Sequence, residues 1–293
     1  MTKTWLITGT SRGLGRELAT AVLDSGDTVL ATARRPEQLQ ELADRYGERV
    51  RTFALDVTDR AAAARAVQAA VDTFGGLDVV ATNAGHADSA PLEHTTEEAF
   101  RAQLETNLFG TVHLTQAALP VFRAQRSGHF LQFSSIGGRV GGTPGLAAYQ
   151  AAKFAVEGFS EVLFSEVAPL GIKVTIVEPG AFRTEWGGTS MRLADVAPDY
   201  AATVGRMHAY RRSVDGRQPG DPARAARVLV DVAAMEEPPR RLLLGTDAVQ
   251  MAEHASRVRA REAAVWAGVS QSTDFGAPDA LERPDALVPR LTA

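Results

Sequence analysis

The sequence predicts an α/β fold, a doubly wound parallel sheet in a single domain over residues 1–293. Three observations lead to this. Short apolar runs alternate with longer amphipathic stretches, the pattern of repeated strand–helix–strand units. The runs carry few polar interruptions, as strands covered on both faces do. No shift of composition and no linker divides the chain before about Val177.

The predicted strands are Trp5–Thr8, Thr28–Ala33, Val50–Leu55, Val79–Thr82, Phe130–Phe133, Lys173–Val177 and Arg241–Leu244. Leu14, Leu18 and Val22 recur every fourth residue, as one buried helix stripe requires. Helical patterns also cover Thr58–Phe74, Thr96–Ala118, Tyr149–Val167 and Asp221–Ala234. Right-handed crossovers between such strands wind the sheet on both sides. Two stretches fall outside the alternation. Trp186 to Gly220 is rich in Gly, Pro and charge and reads as a long binding excursion. The segment 274–293 carries several prolines and reads as a loosely packed tail.

Composition excludes several function classes. With 31 basic and 35 acidic residues, the formal charge of −4 provides no attraction for nucleic acid or an anionic membrane. The absence of cysteine removes disulfides, thiolate nucleophiles and cysteine-held metal. Six histidines occur without paired spacing, so no metal site is expected. The N-terminus enters an apolar strand at once, so no signal peptide is read, and no apolar run nears the roughly 18 residues of a membrane span. These features fit a cytoplasmic globular protein.

The first strand runs into Thr8-Gly9-Thr10-Ser11-Arg12-Gly13-Leu14-Gly15, and a helix starts there. Glycines let the backbone turn tightly beside a ligand, and a helix N-terminus offers free N–H groups to a phosphate. The spacing is neither G-x-G-x-x-G nor the phosphate loop with its lysine, and such a cluster can also be only a turn. Its place in the first unit of a doubly wound sheet favours a dinucleotide. An NAD site usually places an acid about 20 residues beyond the glycines. Here Ala33 is followed by Arg34 and Arg35, with Arg12 in the loop itself. Guanidinium groups suit the 2′-phosphate of NADP by charge and geometry. The competing reading is a pair of solvated turn charges.

Tyr149 and Lys153, four residues apart in a helical pattern, share one helix face. A free tyrosine has a pKa of about 10, and a lysine cation beside it favours the phenolate. The pair can therefore act as a tuned acid or base. Ser134 and Ser135 stand at the C-terminal end of a predicted strand, where ligands collect in open parallel sheets.

Taken in order, these residues resemble the short-chain dehydrogenase/reductase family, in its compact, NADP-preferring, single-domain branch with a Rossmann-type sheet. The matches are Thr8–Gly15, Asn83-Ala84-Gly85, Asn107, Ser135, Tyr149-x-x-x-Lys153, and Pro179-Gly180 with Thr184, and they cover Lys3 to Thr184 closely. The resemblance implies that Tyr149 exchanges a proton with the substrate oxygen, which Ser135 also holds. Lys153 lowers the Tyr149 pKa and holds the nicotinamide ribose, and Asn107 positions a water leading to solvent. The cofactor NADP(H) is implied to rest on Gly9, Ser11, Arg12, Gly13, Leu14, Gly15, Arg34 and Arg35. Asp56 takes the adenine amino group with Val57 lining that pocket, Asn83 the ribose and Thr184 the carboxamide, and Ala84, Gly85, Pro179 and Gly180 are further implied cofactor contacts. Members commonly dimerise through the helices Asn107–Leu119 and Tyr149–Val167, so a homodimer or homotetramer is implied.

Three departures from the family pattern stand out. Thr82 replaces a frequent second asparagine, and the Ser135-to-Tyr149 interval is one residue long, with Gly141 and Gly142 in it. Ser134 therefore stays an alternative to Ser135. Arg34 replaces the cofactor acid. The implied activity is hydride transfer between NADP(H) and a small-molecule carbonyl or secondary alcohol, as a ketone or aldehyde reductase. The alternatives are a cofactor-binding regulatory protein of the same fold, then an epimerase or dehydratase. The loop 185–220 forms the implied substrate pocket. Met191, Leu193, Tyr200, Met207 and Tyr210 suggest an apolar pocket, while Arg192, Arg206, Arg211 and Arg212 leave an acidic substrate group open. Phe182 and Trp186 are pocket walls or loop anchors, and His86 faces the substrate or solvent.

Overall fold

The computed structural model describes residues 2–187 and 191–276. The expected tail therefore lies outside the described residues from 277 onward, as do residues 188–190 of the expected loop. The chain divides into a main unit ending at Ala248 and a second beginning at Val249.

The strands are β1 (Thr4–Thr8), β2 (Thr28–Ala33), β3 (Val50–Ala54), β4 (Val79–Ala81), β5 (Asp88–Ser89), β6 (Gly128–Phe133), β7 (Ile172–Pro179), β8 (Arg192–Leu193) and β9 (Arg241–Leu244). The helices are α1 (Gly13–Asp24), α2 (Gln40–Tyr46), α3 (Arg60–Phe74), α4 (Glu97–Leu104), α5 (Gly110–Gln125), α6 (Ile136–Arg139), α7 (Ala147–Val167), α8 (Arg206–Val214), α9 (Pro222–Ala234) and α10 (Thr246–Gln271). Seven strands form one parallel sheet in the order β3-β2-β1-β4-β6-β7-β9. Strand order reverses between β1 and β4, the point at which doubly wound sheets open a ligand crevice.

Successive β1 residues face opposite layers, as the pleat requires. Trp5 and Ile7 join Leu18 and Val22 of α1 and Leu229 of α9, while Leu6 joins Ala66 of α3, Leu114 and Phe122 of α5 and Leu163 of α7. All five β1 residues are buried, which is why the run contains no charge. Caps fix where helices begin. Asp59 accepts from Ala61 N at 2.8 Å and Ala62 N at 3.0 Å, and Asp221 accepts from Ala223 N at 2.9 Å ahead of Pro222.

The expected helix Thr96–Ala118 is α4 and α5 joined by a π turn, Glu105–Phe109. The expected excursion Trp186–Gly220 is largely structured. β8 pairs in parallel with β5, Arg192 meets Asp88 at 3.0 Å, and α8 follows. α10 had no counterpart among the expected helices. Its Val249, Met251, Val258 and Trp266 stay exposed and draw no single stripe along it. Among the described residues no helix is long and apolar enough to cross a membrane.

Candidate active site

At the reversal of strand order, the end of β1 is stitched to the end of β4. Asn83 Nδ2 donates to Thr8 O at 2.9 Å and Gly9 O at 3.2 Å, and Ala84 N donates to Thr8 Oγ1 at 2.9 Å. Thr10 ties the glycine loop to β2 through Thr32 O. Gly9 and Gly13 adopt left-handed φ values of 70° and 59°, which glycine adopts without strain. A Cβ on Gly15 would lie 2.4 Å from Gly9 O and 2.3 Å from Asn83 Nδ2. Gly15→Ala should therefore cost about 1–3 kcal/mol in stability. Urea unfolding that matches wild type would show that the loop yields freely.

A cleft of about 830 Å³ opens above these strand ends. Its lining includes Gly9, Ser11, Arg12, Gly13 and Leu14 from the glycine loop and Arg34 and Arg35 after β2. Asp56 and Val57 line it after β3, Asn83, Ala84 and Gly85 after β4, and Thr184 after β7. Gly15 lies beneath the loop and not in the lining. Pro179 and Gly180 do not line the cleft either. Gly180 leaves room instead for Asp247, whose Oδ1 would stand 2.3 Å from a Cβ there and whose Oδ2 accepts from Ala181 N at 2.7 Å. Arg12, Arg34 and Arg35 make no ion pair among the described residues. Three guanidinium groups thus line the cleft without a salt bridge among the described residues.

Beside the cleft, α7 carries Tyr149 and Lys153, both buried. Burial pushes the Tyr149 hydroxyl up to about 12, against a hydrogen bond from Ser135 and the charge of Arg211. Burial lowers Lys153 to about 8, opposed by Glu157 one turn on. Lys153 Nζ donates to Phe133 O at 2.7 Å and lies 5.9 Å from the Tyr149 ring centre. Ser135 bonds to Tyr149 and accepts from Gly137 N at 3.0 Å, whereas the alternative, Ser134, is buried and donates to Lys153 O at 3.4 Å. Ser135 is therefore the serine that meets the tyrosine. Between Ser135 and Tyr149, Gly141 and Gly142 take left-handed φ values of 70° and 78°.

Asn107 sits in the π turn. Its Oδ1 accepts from His86 N at 3.1 Å, and its Nδ2 donates to His86 O at 2.9 Å and Gln103 O at 2.8 Å. A Cβ on Gly85 would stand 2.5 Å from Asn107 Oδ1 and 3.7 Å from Lys153 Nζ, so only glycine leaves the space where these groups converge. Thr82, in place of a second asparagine, donates to Gln132 Oε1 at 2.7 Å and stays satisfied. Trp186 lines the cleft and also lies against Tyr149, ring centres 5.1 Å apart, which makes it a pocket wall. His86 lines the cleft too, and burial lowers its pKa.

Sequence reading named Arg211 only as one of four loop arginines and gave no role to Ser89 and His208, whose contact fixes α8. The Ser89–His208 contact joins residues 119 positions apart, a separation that no local pattern signals.

The model of the short chain dehydrogenase family matches residues 3–192. The chain is 48% identical over 271 residues to Oxidoreductase BOA17 of Botryotinia fuckeliana, covering 92% of this chain and 98% of that one. A short-chain dehydrogenase structure from Streptomyces avermitilis superposes with TM-score 0.87 at 42% identity, covering 94% of this chain and all of that one. The NADP-bound structure of ElxO superposes with TM-score 0.71 at 25% identity, covering 85% of this chain and all of that one. The match spans the glycine loop, the strand reversal and the Tyr149–Lys153 helix, and this oxidoreductase belongs to the short-chain dehydrogenase family.

Proposed function

We propose that this protein is an NADP(H)-dependent reductase of ketones or aldehydes, able to run in reverse on the secondary alcohol. The observation that carries this reading is the placement of Ser135, Tyr149 and Lys153 beside a cleft whose second-strand end presents Arg34 and Arg35 where an acid would select NAD. The cleft's glycine backbone and free guanidinium groups fit a dinucleotide bearing a 2′-phosphate. Arg12, Arg34 and Arg35 would hold that phosphate side, Asp56 and Val57 the adenine, and Asn83 and Lys153 the nicotinamide ribose. NADP(H), when bound, supplies or accepts the hydride.

The chain's own residues handle the proton. Tyr149 keeps its proton at neutral pH, because burial raises it to about 12, and so stands ready to donate to a carbonyl oxygen. Ser135 offers that oxygen a second hydrogen bond, which strengthens as negative charge develops. Lys153, lowered to about 8, is still mostly charged at neutral pH and favours the phenolate left behind. Oxidation of the alcohol needs the phenolate first, so it gains with rising pH.

Phe154 and Val162 of α7 and Phe109 of the π turn are exposed apolar residues. These helix faces support pairing as a homodimer or homotetramer.

The test follows NADPH absorbance with a panel of aldehydes and ketones, with NADH in parallel. Turnover should depend on NADPH. Arg34→Ala should weaken NADPH about 10- to 100-fold, the loss of one charge-assisted phosphate contact, and affect NADH far less. Equal use of NADH by wild type would sink the NADP assignment. Tight NADPH binding with no turnover on any carbonyl would favour the regulatory reading.

A further inference from the structure

The segment after β7 brings one arginine to the catalytic tyrosine. α8 is fastened by His208, whose Nε2 lies 2.9 Å from Ser89 Oγ, both residues buried. Arg211 follows three positions later, on the same helix face. Met191 and Leu193 pack with Ala87, Leu146 and Tyr149 into a small apolar wall. Arg211 reaches that wall, and its Nη1 lies 3.1 Å from Met191 Sδ. The guanidinium is close enough to Tyr149 for the two to interact electrostatically.

The other arginines of this segment are placed differently. Arg192 pairs with Asp88, Arg183 donates to Gln218 O and Arg217 to Ser213 O. Arg206 and Arg212 remain exposed to water. Arg211 is half-buried, takes part in no ion pair among the described residues, and meets a thioether, a weak acceptor. A guanidinium has five donors, and withdrawing it from water without an oxygen partner is costly.

We infer that Arg211 is the specificity-determining residue of the substrate pocket and binds a carboxylate of the substrate, so that the carbonyl served by Tyr149 belongs to an oxo acid with an apolar body. A carboxylate matches a single guanidinium in charge and in two-point geometry. A phosphate dianion calls for further cations, and Arg206 and Arg212 lie out in water. The apolar wall of Met191, Leu193, Leu146 and Ala87 takes the carbon body. This inference rests on the reductase reading above.

The experiment compares oxo acids, their methyl esters and the matching phosphate esters, with the ketone next to the acid group or a few carbons from it. Each is assayed for turnover with NADPH and, separately, for binding by calorimetry to protein saturated with NADP+. Wild type should favour the best acid over its ester by about 10- to 100-fold in kcat/KM, the range of a charge-assisted hydrogen bond. Arg211→Leu should erase that preference mainly through KM, and Arg211→Lys should restore part of it. Equal losses on acid and ester in Arg211→Leu, a wild type indifferent to the acid group, or a preference for the phosphate would each overturn the inference. Acid binding that depends on Arg211 without turnover would support it and fail the reductase reading alone, whereas ketone turnover without acid preference would do the opposite.

Discussion

Tyr149→Phe should lower the rate of carbonyl reduction by about 10²- to 10⁴-fold, the usual contribution of a positioned acid or base, with NADPH still bound. The ring survives in this variant, so its contacts with Trp186 and the Met191 wall persist, and only the hydroxyl that meets Ser135 is lost. The measurement is single-turnover reduction beside an NADPH titration. A variant that turns over within a few-fold of wild type would remove Tyr149 from the chemistry. Lys153 adds a pH signature. As its ammonium is lost above about 8, the phenolate left after proton donation loses its cation and reduction should decline.

The second large effect concerns stability. His129 of β6 is buried, and burial, aided by the charges of Lys173 and Lys3, lowers its pKa from 6.5 to about 3. Thr175 Oγ1 donates its one proton to Pro239 O at 2.7 Å, so it accepts from His129 Nε2 at 2.9 Å, and His129 Nδ1 is left without a partner. The imidazole is therefore neutral in the fold. Its folded pKa lies below the unfolded value, so between about 3 and 6.5 the unfolded chain binds more protons. Stability is fully present above 6.5 and is lost as pH falls, at up to about 1.4 kcal/mol per pH unit, on the order of 5 kcal/mol across the window. That is comparable with the whole stability of many domains. Urea unfolding at several pH values should show this slope in wild type and a shallower one in His129→Leu. Parallel slopes would show that other groups set the acid limit.

Most of the sheet was legible because its central strands are buried over most of their length and read as mainly apolar runs. Trp5–Thr8, Thr28–Ala33 and Arg241–Leu244 fall on β1, β2 and β9 almost to the residue. The glycine loop and the Tyr149–Lys153 pair were legible because each depends on close spacing. What was not legible rests on distant partners or on broken periods. β8 forms only against β5, and His208 finds Ser89 from 119 positions away. α10 has no apolar stripe to announce it. The π turn between α4 and α5 leaves the hydrophobic rhythm nearly intact, so Thr96–Ala118 read as one helix. Trp186 read first as a loop anchor, and its ring against Tyr149 on the cleft lining places it as a wall instead.

Asn107 spends its carboxamide on two stretches of main chain at once, bonding His86 as a neighbouring strand would and closing on Gln103 where the π turn interrupts the helix. The rim of the cleft at His86 and the bend between α4 and α5 are thus joined by one side chain. The groups that meet at Gly85 are held by bonds from two separate stretches of the chain.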